Sequence, residues 1–278
     1  MFFEQGLVAK DRGKRMTDYS KKIKAVFFDV DGTLLSHKIN DVPLSTQIAL
    51  QKLRSRGILT IIATGRSMIE FSQLPVGNLD FDGYLMLNGQ LLMDQSKSVY
   101  AGTSIDEGEM KILERIFNRK KIPFMLVGAD KRYINYVDDT VIRTQTEVKG
   151  VIPDIGEYQG EKIYQILAFV PDEDKELLEG LLDECKITKW NDTGIDIIPK
   201  GGGKSVGIQQ FLDTKGLDRS EIMAFGDGEN DIDMLQFAGI GVAMGNAKDT
   251  VKAAADYVTD SVDDNGIENA LRHFGLID

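Results

Sequence analysis

Histidine and cysteine are almost missing from this chain of 278 residues, and basic residues are in deficit. Cys185 is the only cysteine, so no internal disulfide can form and a reducing compartment is expected. Its thiol reads as incidental, on a helix predicted near Asp172 to Glu184. With His37 and His273 as the only histidines, a His-rich zinc site is excluded. His273 falls on a predicted C-terminal helix, and His37 falls in a loop near two aspartates, close enough to line a pocket mouth. Lys and Arg number 33 against 44 Asp and Glu, a net charge of -11. That balance argues against nucleic acid or an anionic membrane as partner, and an anionic substrate would need local help from a metal and a few cations. No apolar run approaches the roughly 20 residues of a membrane span. Residues 1–20 mix both charge signs with too short an apolar stretch for a secretory signal; they read as a flexible arm, with Met16 an alternative start and a cytoplasmic location expected. There is no internal repeat and no low-complexity tract.

What is present suffices for a sizeable core, since 42% of the residues are hydrophobic, and the length suits one large or two moderate units. Through the first ninety residues apolar strands alternate with an amphipathic helix: Ile23 to Phe28, a helix from Ser45 to Arg56 closed by Gly57, Ile58 to Ala63, then Tyr84 to Leu87 running into the hairpin signal Asn88-Gly89. Between Gln90 and Ile195 the rhythm changes to hairpin-like pairs, Phe124 to Val127 with Tyr133 to Val137, a strand Ile163 to Val170, and helices near Asp106 to Lys120 and Asp172 to Glu184. The first pattern then resumes: a helix Lys204 to Lys215, strands Ile222 to Phe225 and Ile240 to Ala243, and a helix Asp264 to Phe274. The expected fold is α/β, a Rossmann-like doubly wound parallel sheet formed by residues 21–89 and 196–278, with an α/β cap inserted at 90–195.

Four segments carry chemistry. Asp29-Val30-Asp31-Gly32-Thr33 follows a buried strand, and a period of two would turn Asp29 and Asp31 to one side with Val30 on the other. Two such charges about 4 Å apart repel by roughly 4 kcal/mol at an effective dielectric near 20. Either a bound Mg²⁺ offsets that repulsion or one carboxyl stays protonated, as a general acid requires. Thr64-Gly65-Arg66 ends a second strand with a hydroxyl and an amide suited to phosphate oxygens. Gly201-Gly202-Gly203-Lys204-Ser205 is not a nucleotide phosphate loop, because Ile198 stands where that loop needs glycine, yet it suits one lysine reaching into a site. Gly226-Asp227-Gly228-Glu229-Asn230-Asp231-Ile232-Asp233 is not a calcium loop, because Ile232 replaces the glycine at its sixth position. Asp227 and Asp231 could instead complete a Mg²⁺ site, with Glu229 and Asp233 facing solvent.

In this order the segments resemble the haloacid dehalogenase superfamily, and within it the Cof-like sugar-phosphate phosphatases with a large α/β cap. The resemblance runs from Ile23 onward and includes Ala243-Met244-Gly245-Asn246-Ala247 and Asp264-Asn265-Gly266-Ile267. It implies that Asp29 is a nucleophile forming an aspartyl-phosphate and that Asp31 is the acid and then the base. It implies Mg²⁺ held by the Asp29 carboxylate, the Asp31 backbone carbonyl and Asp227, with Asp231 in support. Thr64, Gly65 and Lys204 would hold the phosphoryl oxygens, and Asn230 would position the phosphate or Lys204. The activity implied is Mg²⁺-dependent hydrolysis of small phosphorylated metabolites, under a cap that excludes water. The alternatives are a phosphomutase or phosphotransferase using the same intermediate, and a catalytically silent metabolite sensor. Arg66, Asn88 and the acids near Asp192 are candidate substrate contacts. Oligomeric state is not legible.

Overall fold

The computed structural model of the chain describes residues 22–147, 150–170, 178, 180–189 and 193–278. The expected arm at 1–20, most of the helix expected at 172–184 and Asp192 lie outside the described residues. In chain order the strands are β1 (Ala25–Phe28), β2 (Leu59–Ala63), β3 (Gly83–Met86), β4 (Leu91–Asp94), β5 (Val99–Gly102), β6 (Phe124–Val127), β7 (Arg132–Ile134), β8 (Gln165–Phe169), β9 (Cys185–Lys189), β10 (Gly194–Pro199), β11 (Ile222–Gly226), β12 (Ile240–Ala243) and β13 (Tyr257–Val258). They form an eight-stranded sheet in the order β13-β12-β11-β1-β2-β3-β4-β5 and a five-stranded sheet in the order β7-β6-β8-β10-β9.

From β13 to β3 the large sheet is parallel. β1 and β11 at its centre are apolar without interruption because both faces are covered; Ala-Val-Phe-Phe of β1 is wholly buried. Alternation then sorts the side chains. Val26 and Phe28 enter the layer that holds Ala49, Leu50 and Leu53 of helix Leu44–Ser55 and Ile267, Ala270 and Leu271 of helix Gly266–His273. Ala25 and Phe27 enter the layer of Ile208, Phe211 and Leu212 from helix Lys204–Lys215, where Phe27 meets Phe211 edge to face at 5.5 Å. The result is a three-layer α/β sandwich.

The second sheet is antiparallel throughout. One face is covered by helix Glu107–Arg119 through Met110, Leu113 and Phe117; Asp106 caps that helix by accepting from the Gly108 amide. On the other face Met125, Val127, Ile134 and Phe169 join the apolar cluster of the first sandwich layer.

Three expectations need correction. β4 and β5 pair antiparallel onto β3, so the large sheet runs past residue 89 to Gly102. β10 straddles the boundary expected at 195/196 and belongs wholly to the second sheet. Hydrogen-bond ladders, not the turn residues between them, decide where a sheet ends. Cys185 lies in β9 rather than on a helix, and burial pushes its thiol up to about 12. Among the described residues no helix is long and apolar enough to cross a membrane.

Candidate active site

The strand order of the large sheet reverses at β1, with β2 on one side and β11 on the other. In open parallel sheets the crevice for ligands lies there, beyond the carboxyl ends of the strands. Phe28 is in register with both Ile62 and Phe225, so Asp29, Thr64 with Gly65, and Asp227 leave the sheet at one level. All of them line a cavity of about 470 Å³ between the two sheets.

β1 ends at Phe28, so Asp29 and Asp31 are not two residues of one strand face. Asp29 still donates its amide to the Phe225 carbonyl at 3.0 Å, after which Leu34 and Leu35 bond back to the Val30 carbonyl and close a tight loop. Gly32 has φ +78°, and a β-carbon there would collide with the Asp227 carboxylate, so the turn requires glycine twice over. Both aspartates line the cavity, but they take different partners. Asp29 meets Lys204, and Asp31 receives both Nε and Nη2 of Arg66.

Lys204 is fully buried, with Nζ 2.6 Å from Asp29 Oδ1 and 2.5 Å from Asp231 Oδ1. Burial works against its ammonium, but the charges of Asp231 and Asp29 outweigh it and hold the pKa above the usual lysine range. Asp231 accepts the Asp227 and Gly228 amides on its other oxygen, at 2.9 and 2.8 Å, which ties the acidic loop to the lysine. Asp233 departs from expectation: it turns inward, its Oδ2 accepting the amide and hydroxyl of Ser205 at the start of the helix that presents Lys204. Glu229 is exposed as expected and pairs with Lys248.

Asp227 is held through both oxygens. Thr33 Oγ1 donates to Oδ1 at 2.9 Å, and Asn246 Nδ2 donates to Oδ2 at 3.1 Å while also reaching the Gly32 carbonyl. Burial, with Asp231 adding to it, pushes Asp227 up to about 7. Burial and the Asp231 charge likewise raise Asp29 well above the ordinary range, against the pull of Lys204. Asp29, Asp227 and Asp231 bring carboxylate oxygens within 4.8 Å of one another, and one ammonium does not balance three acids. A hard dication with an oxygen shell fits that donor set and that charge. The Asp31 carboxylate stands outside the group.

A second polar cluster joins the two sheets. Leu87 and Asn88, in the β3–β4 turn, both have φ +55°, a conformation that costs side-chain-bearing residues energy and persists only where neighbours enforce it. Asn88 donates to Asp196 Oδ2 of β10 at 2.8 Å and accepts from Asn230 Nδ2 at 3.1 Å. Gln165 of β8 donates to Asp196 Oδ1 at 3.0 Å and to the Gly65 carbonyl at 3.3 Å. Asn230 therefore braces Asn88 rather than Lys204. Burial pushes Asp196 up to about 7 despite its amide donors. Nearby, Arg132 of β7 forms an ion pair with Glu70 of helix Met68–Phe71, closing the second sheet onto the segment after Arg66.

The structure thus gathers Asp29, Asp31, Thr64, Gly65, Asp227 and Asn230 around one cavity, with Lys204 and Asp231 buried behind Asp29. His37 lines its mouth. Sequence reasoning missed Thr33, Asn246 and Asp233 as supports, although all three lie inside quoted motifs; it reached Asp196 only as one of the acids near Asp192, and it missed Gln145 and Gln165 altogether.

Comparison with known proteins is consistent with this geometry. Residues 26–271 match the haloacid dehalogenase-like hydrolase family. The 5-amino-6-(5-phospho-D-ribitylamino)uracil phosphatase YcsE of Bacillus subtilis (strain 168) is 30% identical over 263 residues, 91% of this chain and 96% of that one. The phosphatase BT1666 of Bacteroides thetaiotaomicron superposes with a TM-score of 0.84 at 32% identity, covering 99% of this chain and 100% of that one. The subclass IIB sugar phosphatase BT4131 gives a TM-score of 0.83 at 34% identity over 91% of this chain and 100% of its own.

Proposed function

From the premise that this chain belongs to the haloacid dehalogenase-like hydrolases and is a phosphoric monoester hydrolase, we propose that it is a Mg²⁺-dependent phosphatase of small phosphorylated metabolites of the sugar-phosphate kind, working through an aspartyl-phosphate. The observation that carries this reading is the convergence of Asp29, the Thr64-Gly65 turn and Asp227 at the switch point of the sheet, with buried Lys204 behind Asp29.

The Asp29 carboxylate attacks phosphorus as the bond to the leaving oxygen breaks, and Asp31 gives that oxygen its proton. Water then attacks the phosphorus of the aspartyl-phosphate, Asp31 takes the water's proton, and Asp29 is restored as phosphate departs. Thr64, Gly65 and Lys204 hold the phosphoryl oxygens, so their work is positioning and neutralisation of equatorial charge. Asp29 and Asp227, with the Asp31 backbone carbonyl, would hold Mg²⁺, and Asp231, whose oxygens are taken by Lys204 and the Asp227 and Gly228 amides, would support them; the ion when bound supplies charge neutralisation between an anionic ester and an anionic nucleophile. The second sheet closes the cavity and excludes bulk water. Two relatives support the substrate class through their names, a sugar phosphatase and a phosphatase of a phosphoribityl compound.

The test is rapid quenching of turnover on a ³²P-labelled sugar phosphate with Mg²⁺, followed by peptide mapping. Label on Asp29, lost together with activity in the folded Asp29→Asn variant, is expected. Label on another residue, or turnover indifferent to chelation, overturns the reading.

A further inference from the structure

The alcohol end of the cavity is built from side chains that accept hydrogen bonds more readily than they give them. Gln145, on helix Asp139–Glu147, lines the cavity at 3% exposure, and among the described residues its Oε1 has no hydrogen-bond partner. A buried acceptor without a donor is costly, and native proteins keep one where water or a ligand supplies the missing proton. Asp196 shares the lining at 5% exposure; each of its oxygens already accepts one amide N–H and retains a further lone pair. Glu147 adds a third acceptor at the exposed rim. The cations on the same lining are few. Arg66 is engaged by both oxygens of Asp31, and His37 sits at the exposed mouth.

We propose that Gln145 and Asp196 are specificity-determining residues that read hydroxyl groups on the alcohol side of the ester, so that the enzyme selects monophosphates of polyhydroxylated alcohols. This rests on the phosphatase reading above. Each substrate hydroxyl donates to Gln145 Oε1 or Asp196 and can accept in return from the amide of Gln145, since both N–H groups of Gln165 already serve Asp196 and the Gly65 carbonyl. A leaving group without hydroxyls leaves those acceptors unpaired, which is the arrangement that discriminates most strongly between otherwise similar substrates. A second phosphate is rejected for a different reason. Its charge would face Glu147 at the rim, with the Arg132 guanidinium already taken by Glu70 and that of Arg66 committed to Asp31.

The test measures kcat/KM with Mg²⁺ for sorbitol 6-phosphate, p-nitrophenyl phosphate, fructose 6-phosphate and fructose 1,6-bisphosphate, in the wild type and in Gln145→Leu and Gln145→Glu. The expected result has two parts. Gln145→Leu lowers the ratio of sorbitol 6-phosphate to p-nitrophenyl phosphate by roughly tenfold, the worth of one hydrogen bond of about 1.4 kcal/mol, while Gln145→Glu, which keeps an acceptor, restores most of it. The wild type prefers fructose 6-phosphate to the bisphosphate by at least about tenfold. Thermal melting verifies that each variant is folded, and Gln145→Met replaces Gln145→Leu if that one is not. An unchanged ratio in the apolar variant, or equal use of the bisphosphate, overturns the inference and leaves the phosphatase reading standing. A wild type that hydrolyses none of the four esters overturns that reading itself.

Discussion

Arg66 grips Asp31 by both carboxylate oxygens, Nε to Oδ2 at 2.6 Å and Nη2 to Oδ1 at 2.8 Å. Burial opposes the guanidinium charge, but the paired carboxylate outweighs it and raises the Arg66 pKa further. A carboxyl held by such a fork can carry a proton to a leaving group only after one of the two bonds opens. Arg66 is therefore a positioning residue for Asp31, and its effect should depend on how much the leaving group needs that proton. Arg66→Lys keeps the charge and loses the fork. It should lower kcat/KM for a sugar phosphate by about tenfold to a hundredfold, within the range assigned to general acid catalysis, and lower it much less for p-nitrophenyl phosphate, whose phenolate leaves unprotonated. Equal losses on the two esters would mean that Arg66 serves phosphate binding instead.

Asp31 acts twice in the proposed cycle, and the two acts can be separated. In Asp31→Asn, p-nitrophenyl phosphate still transfers its phosphoryl group to Asp29, but the water that should release it has lost its base. Stopped-flow recording should show a burst of p-nitrophenol of about one equivalent per site followed by slow turnover, the signature of an accumulating covalent intermediate. A slow linear trace without a burst would place Asp31 in the first step alone.

The fold class and the order of the motifs are legible in this chain, and the boundary between its two sheets is not. The acidic motifs at Asp29 and Asp227 are legible because each follows a continuous apolar run, and a strand buried on both faces must be such a run. Helix Lys204–Lys215 and strand Ile240–Ala243 have the ends expected of them, set by a glycine on each side of the helix and by an unbroken apolar stretch in the strand. The place of the β4–β5 pair is not legible, because Asn88-Gly89 announces a hairpin without saying which sheet receives it. Nothing local in the sequence turns Asp233 inward, because its partner, Ser205, is 28 positions away. Asp196 and Gln145 carry no motif at all. They become site residues only when the second sheet is laid over the first.

Lys204 separates two buried carboxylates that would otherwise face each other. Removing one member of a buried ionic cluster leaves uncompensated charge and typically costs about 3–5 kcal/mol. Lys204→Met should therefore lose about that much stability in urea unfolding of the metal-free protein, and Mg²⁺ should restore part of it by screening Asp29 and Asp231. Unchanged stability would mean that the acids are already protonated in the wild type.

Asp227 is oriented by Thr33 and Asn246 before any cation arrives, so its contribution to metal binding can be read without turnover. A ligand that binds only the folded state stabilises it by about 2.7 kcal/mol at a hundred times its Kd. The wild type should show a Mg²⁺-dependent rise in Tm, and Asp227→Asn should lose most of that rise. Asn246→Ala should weaken the apparent Kd by about ten- to a hundredfold, as loss of a ligand's supporting partner does. A full Mg²⁺ shift in Asp227→Asn would move the metal away from this carboxylate.

Asp196 makes the fold sensitive to pH for a reason independent of the metal. Burial is the leading cause of its rise to about 7, Glu70 adds to it, and the amides of Asn88 and Gln165, with Lys204 beyond, only partly oppose it. In the unfolded chain the same group titrates near the ordinary aspartate value of about 3.9. The folded state therefore binds this proton more tightly than the unfolded state. The stabilisation associated with it is complete below the unfolded value and is lost as pH rises through about 7. Asn cannot titrate, so Asp196→Asn should remove that slope, and the difference in unfolding free energy between wild type and variant should shift in the variant's favour between pH 5 and pH 8. The amide, like the protonated carboxyl, carries hydrogen on one of its two heavy atoms, so the remaining difference between the two neutral side chains is an offset that does not vary with pH. Urea titrations at several pH values separate the constant offset from the slope. Parallel curves for the two proteins would show that Asp196 is ionised throughout and that its amide neighbours suffice to hold the charge.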